Sequence, residues 1–213
     1  MRRRFVGVSL LGLLGLSLMS RAATAAPLAG PELAAAVRER LQQPSVLRGD
    51  FEQSKQVQGF AKPLLSRGDF IVARERGVLW RTKTPFASNL RLTRDEIVAT
   101  QGNGAVAFRL DAGKEPSVRI INGLMFSLLN GDIAALSEYF RIEGQIDGRR
   151  WQLQLQPRQA ALSKLFKAIE LNGDSHVGSI RLDEANGDLT QLRFSAQRSE
   201  PARLSADEAA RFD

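Results

Sequence analysis

Residues 47–86 read LRGDFEQSKQVQGFAKPLLSRGDFIVARERGVLWRTKTPF, and the tetrapeptide RGDF stands in them twice, from Arg48 and from Arg67. An adhesion signal would require RGD at an exposed loop tip, and a duplicated unit would carry the likeness beyond four residues. Each copy instead opens a run of period two. In the first, Leu47, Gly49, Phe51 and Gln53 alternate with Arg48, Asp50, Glu52 and Ser54; in the second, Phe70 and Val72 share a face. Between them, VQGFAKPLL holds a glycine and a proline that permit a turn. The two copies are therefore predicted to be neighbouring strands with coincident starts.

The same alternation returns in the second half. Phe140, Ile142 and Ile146 alternate with Arg141, Glu143, Gln145 and Asp147, and Trp151, Leu153 and Leu155 oppose glutamines in WQLQLQ. Asp147-Gly148 and Asn186-Gly187 are hairpin turns, and Leu192 and Phe194 continue the pattern. One apolar and one polar face per strand is the signature of an antiparallel sheet with one side in water. Three stretches have helical character: Leu33 to Gln42, SVRIINGLMFSLLNGDIAALSEY and RQAALSKLFKAI. The middle one is apolar almost all round, which predicts burial. The tail LSADEAARF is expected to form a last helical turn capped by Ser205. The expected fold class is mainly β (α+β): one curved antiparallel sheet with helices capping its concave apolar face.

The N-terminus sets the compartment. Arg2, Arg3 and Arg4 precede an apolar run from Phe5 to Met19, and small residues follow in RAATAAP. This is the pattern of a secretory signal peptide, with cleavage expected after Ala25. Residues 1–25 are thus read as a leader and 26–213 as a single domain. The apolar run is shorter than the ~20 residues a spanning helix needs. The chain holds 30 Lys+Arg against 23 Asp+Glu, but four of the arginines leave with the leader, so 26 basic residues face 23 acidic ones, a net +3. That is too mild for a nucleic-acid partner, and none is expected. With no cysteine, disulfides, thiol catalysis and an N-terminal lipidated cysteine are excluded, so stability must come from burial.

Catalytic chemistry finds little support. His176 is the sole histidine, and it stands beside Asp174 and Ser175 on a segment whose successive side chains should point apart. One histidine and no cysteine argue against a zinc site, and GNGAV lacks the context of a phosphate loop. No catalytic residue, metal or cofactor is expected. An exported one-sided sheet under apolar helices is compatible with an apolar cavity for a lipid and equally with a well-filled core.

The stretch from Arg48 to Phe86 resembles the opening of the outer-membrane lipoprotein carrier protein (LolA) family. Its marks are a helix, a strand resembling GDFEQ, a turn, a second strand ending in a basic residue, an aromatic further on, and a proline-containing turn. Phe51, Gln53, Gly68, Phe70, Arg74, Trp80 and Pro85 occupy those places. DLTQLRF near the C-terminus agrees with it. Two departures point to a divergent branch: Glu75 stands where many members have proline, and Val78 and Leu79 stand where an aromatic is common.

The resemblance implies an unclosed antiparallel barrel whose interior holds acyl chains, in a periplasmic carrier that is a monomer and not an enzyme. The cargo would be a lipoprotein or another acyl lipid, such as a polyene-type lipid. It would be taken from an inner-membrane ABC-type release complex or lipid exporter and passed to an outer-membrane receptor lipoprotein. Arg74 would tether lid groups as a latch. The expected lipid-binding side chains are Phe51, Phe70, Val72, Trp80, Phe86, Leu124, Met125, Phe126 and Leu129. The alternative on the same scaffold is a periplasmic sensor or protein-interaction module that carries no lipid.

Overall fold

A computed structural model describes residues 28–115, 118, 123 and 133–213. The strands are β1 (Leu28–Ala29), β2 (Val46–Gln56), β3 (Leu64–Ala73), β4 (Gly77–Thr84), β5 (Ser88–Leu92), β6 (Glu96–Gln101), β7 (Val106–Asp111), β8 (Phe140–Asp147), β9 (Arg150–Pro157), β10 (Phe166–Gly173), β11 (Val177–Glu184) and β12 (Leu189–Arg198). Described helices are α1 (Gly30–Arg40), α2 (Ile133–Leu136), α3 (Ala160–Ser163) and α4 (Ala206–Ala210). All the strands join one antiparallel sheet in the order β1-β8-β9-β10-β11-β12-β2-β3-β4-β5-β6-β7. The sheet is curved and does not close, because among the described residues β1 and β7 each have a single partner.

The two RGDF copies lie side by side in antiparallel register, with Gly49 opposite Phe70 and Phe51 opposite Gly68. Each glycine therefore sits where the other copy's phenylalanine ring must lie. A Cβ on Gly49 would come within 2.7 Å of the Phe70 ring; one on Gly68 would come within 2.7 Å of Phe51 and collide with the Arg81 carbonyl oxygen. The register also sets Asp50 against Asp69, a like-charge pair that is unfavourable unless neutralised. Arg81 and Lys83 supply that neutralisation, at 2.6 and 2.8 Å from Asp69.

The inner face carries two apolar clusters. Leu33 and Val37 of α1, Ile133 and Leu136 of α2, and Leu162 of α3 pack on Phe140, Leu153, Leu155, Ile169 and Leu171 of β8–β10. The second unites Val78, Leu92 and Ile97 of β4–β6 with Ala112 and Val118. The chain between β7 and β8 must connect opposite ends of the strand order, and the clusters anchor it at both flanks, by Val118 on one side and Ile133 on the other.

Two expectations need correction. The segment RQAALSKLFKAI is not one helix: α3 ends at Ser163, and Phe166 opens β10. Ile169 and Leu171 pair with β9 on one side and β11 on the other, and this tertiary pairing outweighs the helical propensity of the preceding residues. Nor is the sheet one-sided throughout. Val46, Ile71, Ala73 and Leu79 form an outer cluster with Phe212, with Leu204 packed against it. The C-terminal tail thus covers the outside of β2–β4.

A buried ion pair fastens this tail. Arg48 has a side chain only 7% exposed, and its Nη2 lies 2.6 Å from the Glu208 carboxylate. Arg48 Nε donates to the other Glu208 oxygen at 2.7 Å, and its Nη1 and Nη2 reach the carbonyls of Pro201 and Arg203. Ser205 caps α4 in a capping box completed by Glu208, as expected of S-x-x-E. The hydrogen bonds from Arg48 hold the Glu208 carboxyl down from its ordinary 4.5 to about 2, reinforced by the Ser205 N–H and opposed by burial.

Because the folded-state value is depressed, the contribution of this pair is complete above pH 4.5 and fades as pH falls towards 2. Glu208→Ala should cost roughly 1–3 kcal/mol at neutral pH by stranding Arg48. The deficit relative to wild type should shrink steadily between pH 4.5 and 2, read by urea unfolding across that range; a pH-independent deficit would refute the linkage.

Candidate functional site

Between the two inner clusters lies an apolar pocket of about 130 Å³. β3 and β4 present Phe70, Val72, Val78 and Trp80 to it, while β11 and β12 present Ile180 and Phe194. The aromatic side chains pack on one another. Phe51 stacks on Trp80 with ring centroids 3.8 Å apart, and Phe70 meets Phe194 edge-on at 5.3 Å. These geometries follow from alternation, since Phe70 pairs with Trp80 and Phe51 with Phe194 across adjacent strands on the inner face.

Leu41 to Pro44, joining α1 to β2, form one wall of the pocket. This linker is tied on both sides. Gln42 N donates to the Ser175 carbonyl at 2.8 Å, and Arg74 N donates to the Ser45 carbonyl at 3.0 Å. The Arg74 guanidinium also donates through Nη2 to the Gln43 carbonyl, while its Nε is buried without a partner among the described residues.

Residues 25–211 match the family described as outer membrane lipoprotein carrier protein LolA-like. The chain belongs to that LolA-like family. Among solved structures, a LolA superfamily protein from Nitrosomonas europaea shares 11% identity, with 84% of this chain and 96% of that one covered and a TM-score of 0.46. An outer membrane lipoprotein-sorting protein domain from Vibrio parahaemolyticus shares 11% identity over 85% and 97%, with a TM-score of 0.47. A chain of the Pseudomonas aeruginosa MucA/MucB complex shares 16% over 82% and 59%, with a TM-score of 0.40. Among curated proteins none matches this sequence.

In this LolA-like protein, Phe70, Val72 and Trp80 line the pocket. Phe51 is buried and contributes by backing Trp80. Phe86 stands apart: it is 83% exposed, because β4 ends at Thr84 and Phe86 rides the turn into β5. Arg74 reaches the linker rather than the pocket interior. Leu124, Met125, Phe126 and Leu129 lie outside the described residues. Val78, Ile180 and Phe194 were missed as pocket residues. Their signal was present in the strand alternation, but it marks a face and not a position along it.

His176 borders this pocket and has more company than adjacent residues on a strand would allow. It sits in the β10–β11 turn, with its Nδ1 3.4 Å from Ser175 Oγ, and that hydroxyl donates to Asp174 at 3.0 Å. The order is wrong for a hydrolase, since Asp174 accepts from the serine and does not orient the imidazole. The Ser175 side chain, first among several donors, holds the Asp174 carboxyl below its usual range. Among the described residues no three metal-ligating side chains come together.

Burial pushes the His176 imidazole below its ordinary value, against the opposing pull of Asp174. As the sole histidine, it supplies a single, unambiguous pair of ring signals to NMR. Its titration midpoint should fall below 6.5, and a midpoint at or above that value would show that burial does not outweigh the pull of Asp174.

Proposed function

We propose that this LolA-like protein is a periplasmic, non-enzymatic carrier that shelters the acyl chains of lipoproteins or a related lipid between inner and outer membrane. The observation that carries the reading is the apolar pocket on the inner face, walled by Phe70, Val72, Val78, Trp80, Ile180 and Phe194. The donor would be an ABC-type release complex or lipid exporter of the inner membrane. The acceptor would be a receptor lipoprotein of the outer membrane. In this reading residues 1–25 are the export signal and 26–213 the carrier domain.

Magnitudes decide how such a carrier must work. An acyl chain gains about 0.8 kcal/mol for each methylene taken out of water, so a dozen amount to about 10 kcal/mol. A volume of about 130 Å³ compares with the ~150 Å³ cavity that admits one benzene. The pocket as framed holds only the beginning of a chain, and the rest requires a wall to move. The candidate wall is the linker of residues 41–44, held by Arg74 and not by a strand ladder. Opening it exposes apolar surface, which offsets part of the gain on loading and eases release.

The interaction-module reading has one observation in its favour: Phe60, Leu64, Leu65 and Phe86 are exposed at or beside turns, where a protein partner could cover them. Tryptophan fluorescence separates the two. The chain has two tryptophans, Trp80 in the pocket and Trp151 in the cluster of β8–β10 under α1 to α3. A brominated fatty acid should quench the emission, and Trp80→Phe, not Trp151→Phe, should remove most of the quenching. Absence of quenching, or quenching through Trp151 alone, would end the carrier reading.

As a latch, Arg74 stabilises the linker in its closed position. Arg74→Leu should then raise affinity for the same fatty acid several-fold by lowering the cost of opening. Unchanged or weaker binding would remove the latch role and leave the pocket standing.

A further inference from the structure

β11 and β12 do not pair along their whole length. Their ladder runs from Asp183 opposite Leu189 to Ser179 opposite Arg193. β12 continues to Arg198 alongside β2, after a bulge where Ala196 takes φ 50°. Beyond Ser179 the sheet therefore parts in a seam, bridged by a side chain: Gln197 Nε2 donates to the Val177 carbonyl at 2.8 Å. On one side of the seam is the apolar pocket. On the other is a cleft of about 650 Å³ lined mainly by residues with polar side chains. The two spaces share His176, Phe194 and Gln197 as wall residues.

We propose that this cleft is the subsite for the head group of an amphiphile whose tail enters the apolar pocket, and that the head is uncharged and rich in hydroxyls, a glycosyl or polyol group. The inference rests on the carrier reading and adds to it the chemistry of the cargo's polar end. Size is the first argument. Ligand sites usually measure about 300–1,000 Å³, a range that the cleft meets and the apolar pocket does not.

Charge is the second argument. Among the described residues, Asp147 and Asp174 face the cleft against one guanidinium, Arg150, which already lies 3.2 Å from Asp147. Ser175 hydrogen-bonds to Asp174 and favours its ionised form. An anionic head would meet a net negative wall, whereas hydroxyls can donate to carboxylates and accept from amides. Gln145, Gln152 and Asn172 supply those amides, from adjacent strands. One polar atom of the shared wall also lacks a partner among the described residues. That atom, His176 Nε2, is buried there, and a hydroxyl of either polarity can satisfy a neutral imidazole.

The test is displacement of bound 1-aminoanthracene, an apolar fluorescent probe, by decyl maltoside and by decyl phosphate, both below their micelle-forming concentrations. The full-length mature protein should release the probe at about tenfold lower maltoside than phosphate, the worth of a hydrogen bond or two. Gly178 lines the cleft, and a Cβ there meets nothing nearer than the Asn172 carbonyl oxygen at 3.6 Å, so Gly178→Leu fills the space without backbone strain. This variant should lose the preference and still bind the probe. Gln152→Leu should do the same if Gly178→Leu fails to fold. Probe binding with equal displacement by the two detergents, or a preference that survives both variants, overturns the head-group subsite alone. Failure of the wild type to bind the probe removes the carrier reading and the subsite with it.

Discussion

The middle of the sheet depends on a reciprocal exchange of space between two strands. Gly49 makes room for Phe70, and Gly68 makes room for Phe51. Only with both glycines in register can two phenylalanines lie flat on the inner face, stack towards Trp80 and leave a concavity beside them. A slip of one residue would turn every ring to the outside. The same register determines which groups meet on the outer face. It brings Asp69 to Arg81 and Lys83, and it sets Arg48 beside Ile71 under the C-terminal tail. Aromatic wall, charge pairing and tail attachment are consequences of one pairing.

Around that middle, the molecule distributes burial unevenly. The β8–β10 side is filled by α1, α2 and α3, with several side chains wholly removed from solvent. The outer side of β2–β4 is filled by the tail. Between these packed regions the inner wall is covered by a four-residue linker that carries no strand pairing and is held by a few hydrogen bonds. With rigid flanks and a lightly held strap between them, the strap is the element that opens at least cost.

Much of this architecture is legible in the amino-acid sequence. Period-two alternation places the strands because each buries one face, and Ser205 with Glu208 announces a helix start. The inner aromatic residues are found for the same reason. What stays hidden depends on distant partners. Nothing near Arg48 signals that its guanidinium meets a carboxylate 160 residues away, and Ile71 and Leu79 do not reveal that a tail covers them. The segment after Ala160 carries good helix formers, and only the ladders on both sides turn Phe166–Gly173 into a strand. The seam between β11 and β12 is likewise invisible, since it is set by where two ladders end.

The strand order has a consequence for the way the chain is made. The central pair joins β12 to β2, with Phe194 opposite Phe51. A chain delivered N-terminus first cannot complete its middle until β12 is out, and closing so long a loop is slow. Strands β2–β7 emerge early with β2 as a temporary free edge, and free edges invite mispairing. The late arrival of β12, followed at once by the tail that seals the outer cluster, makes these two elements the ones that complete the sheet.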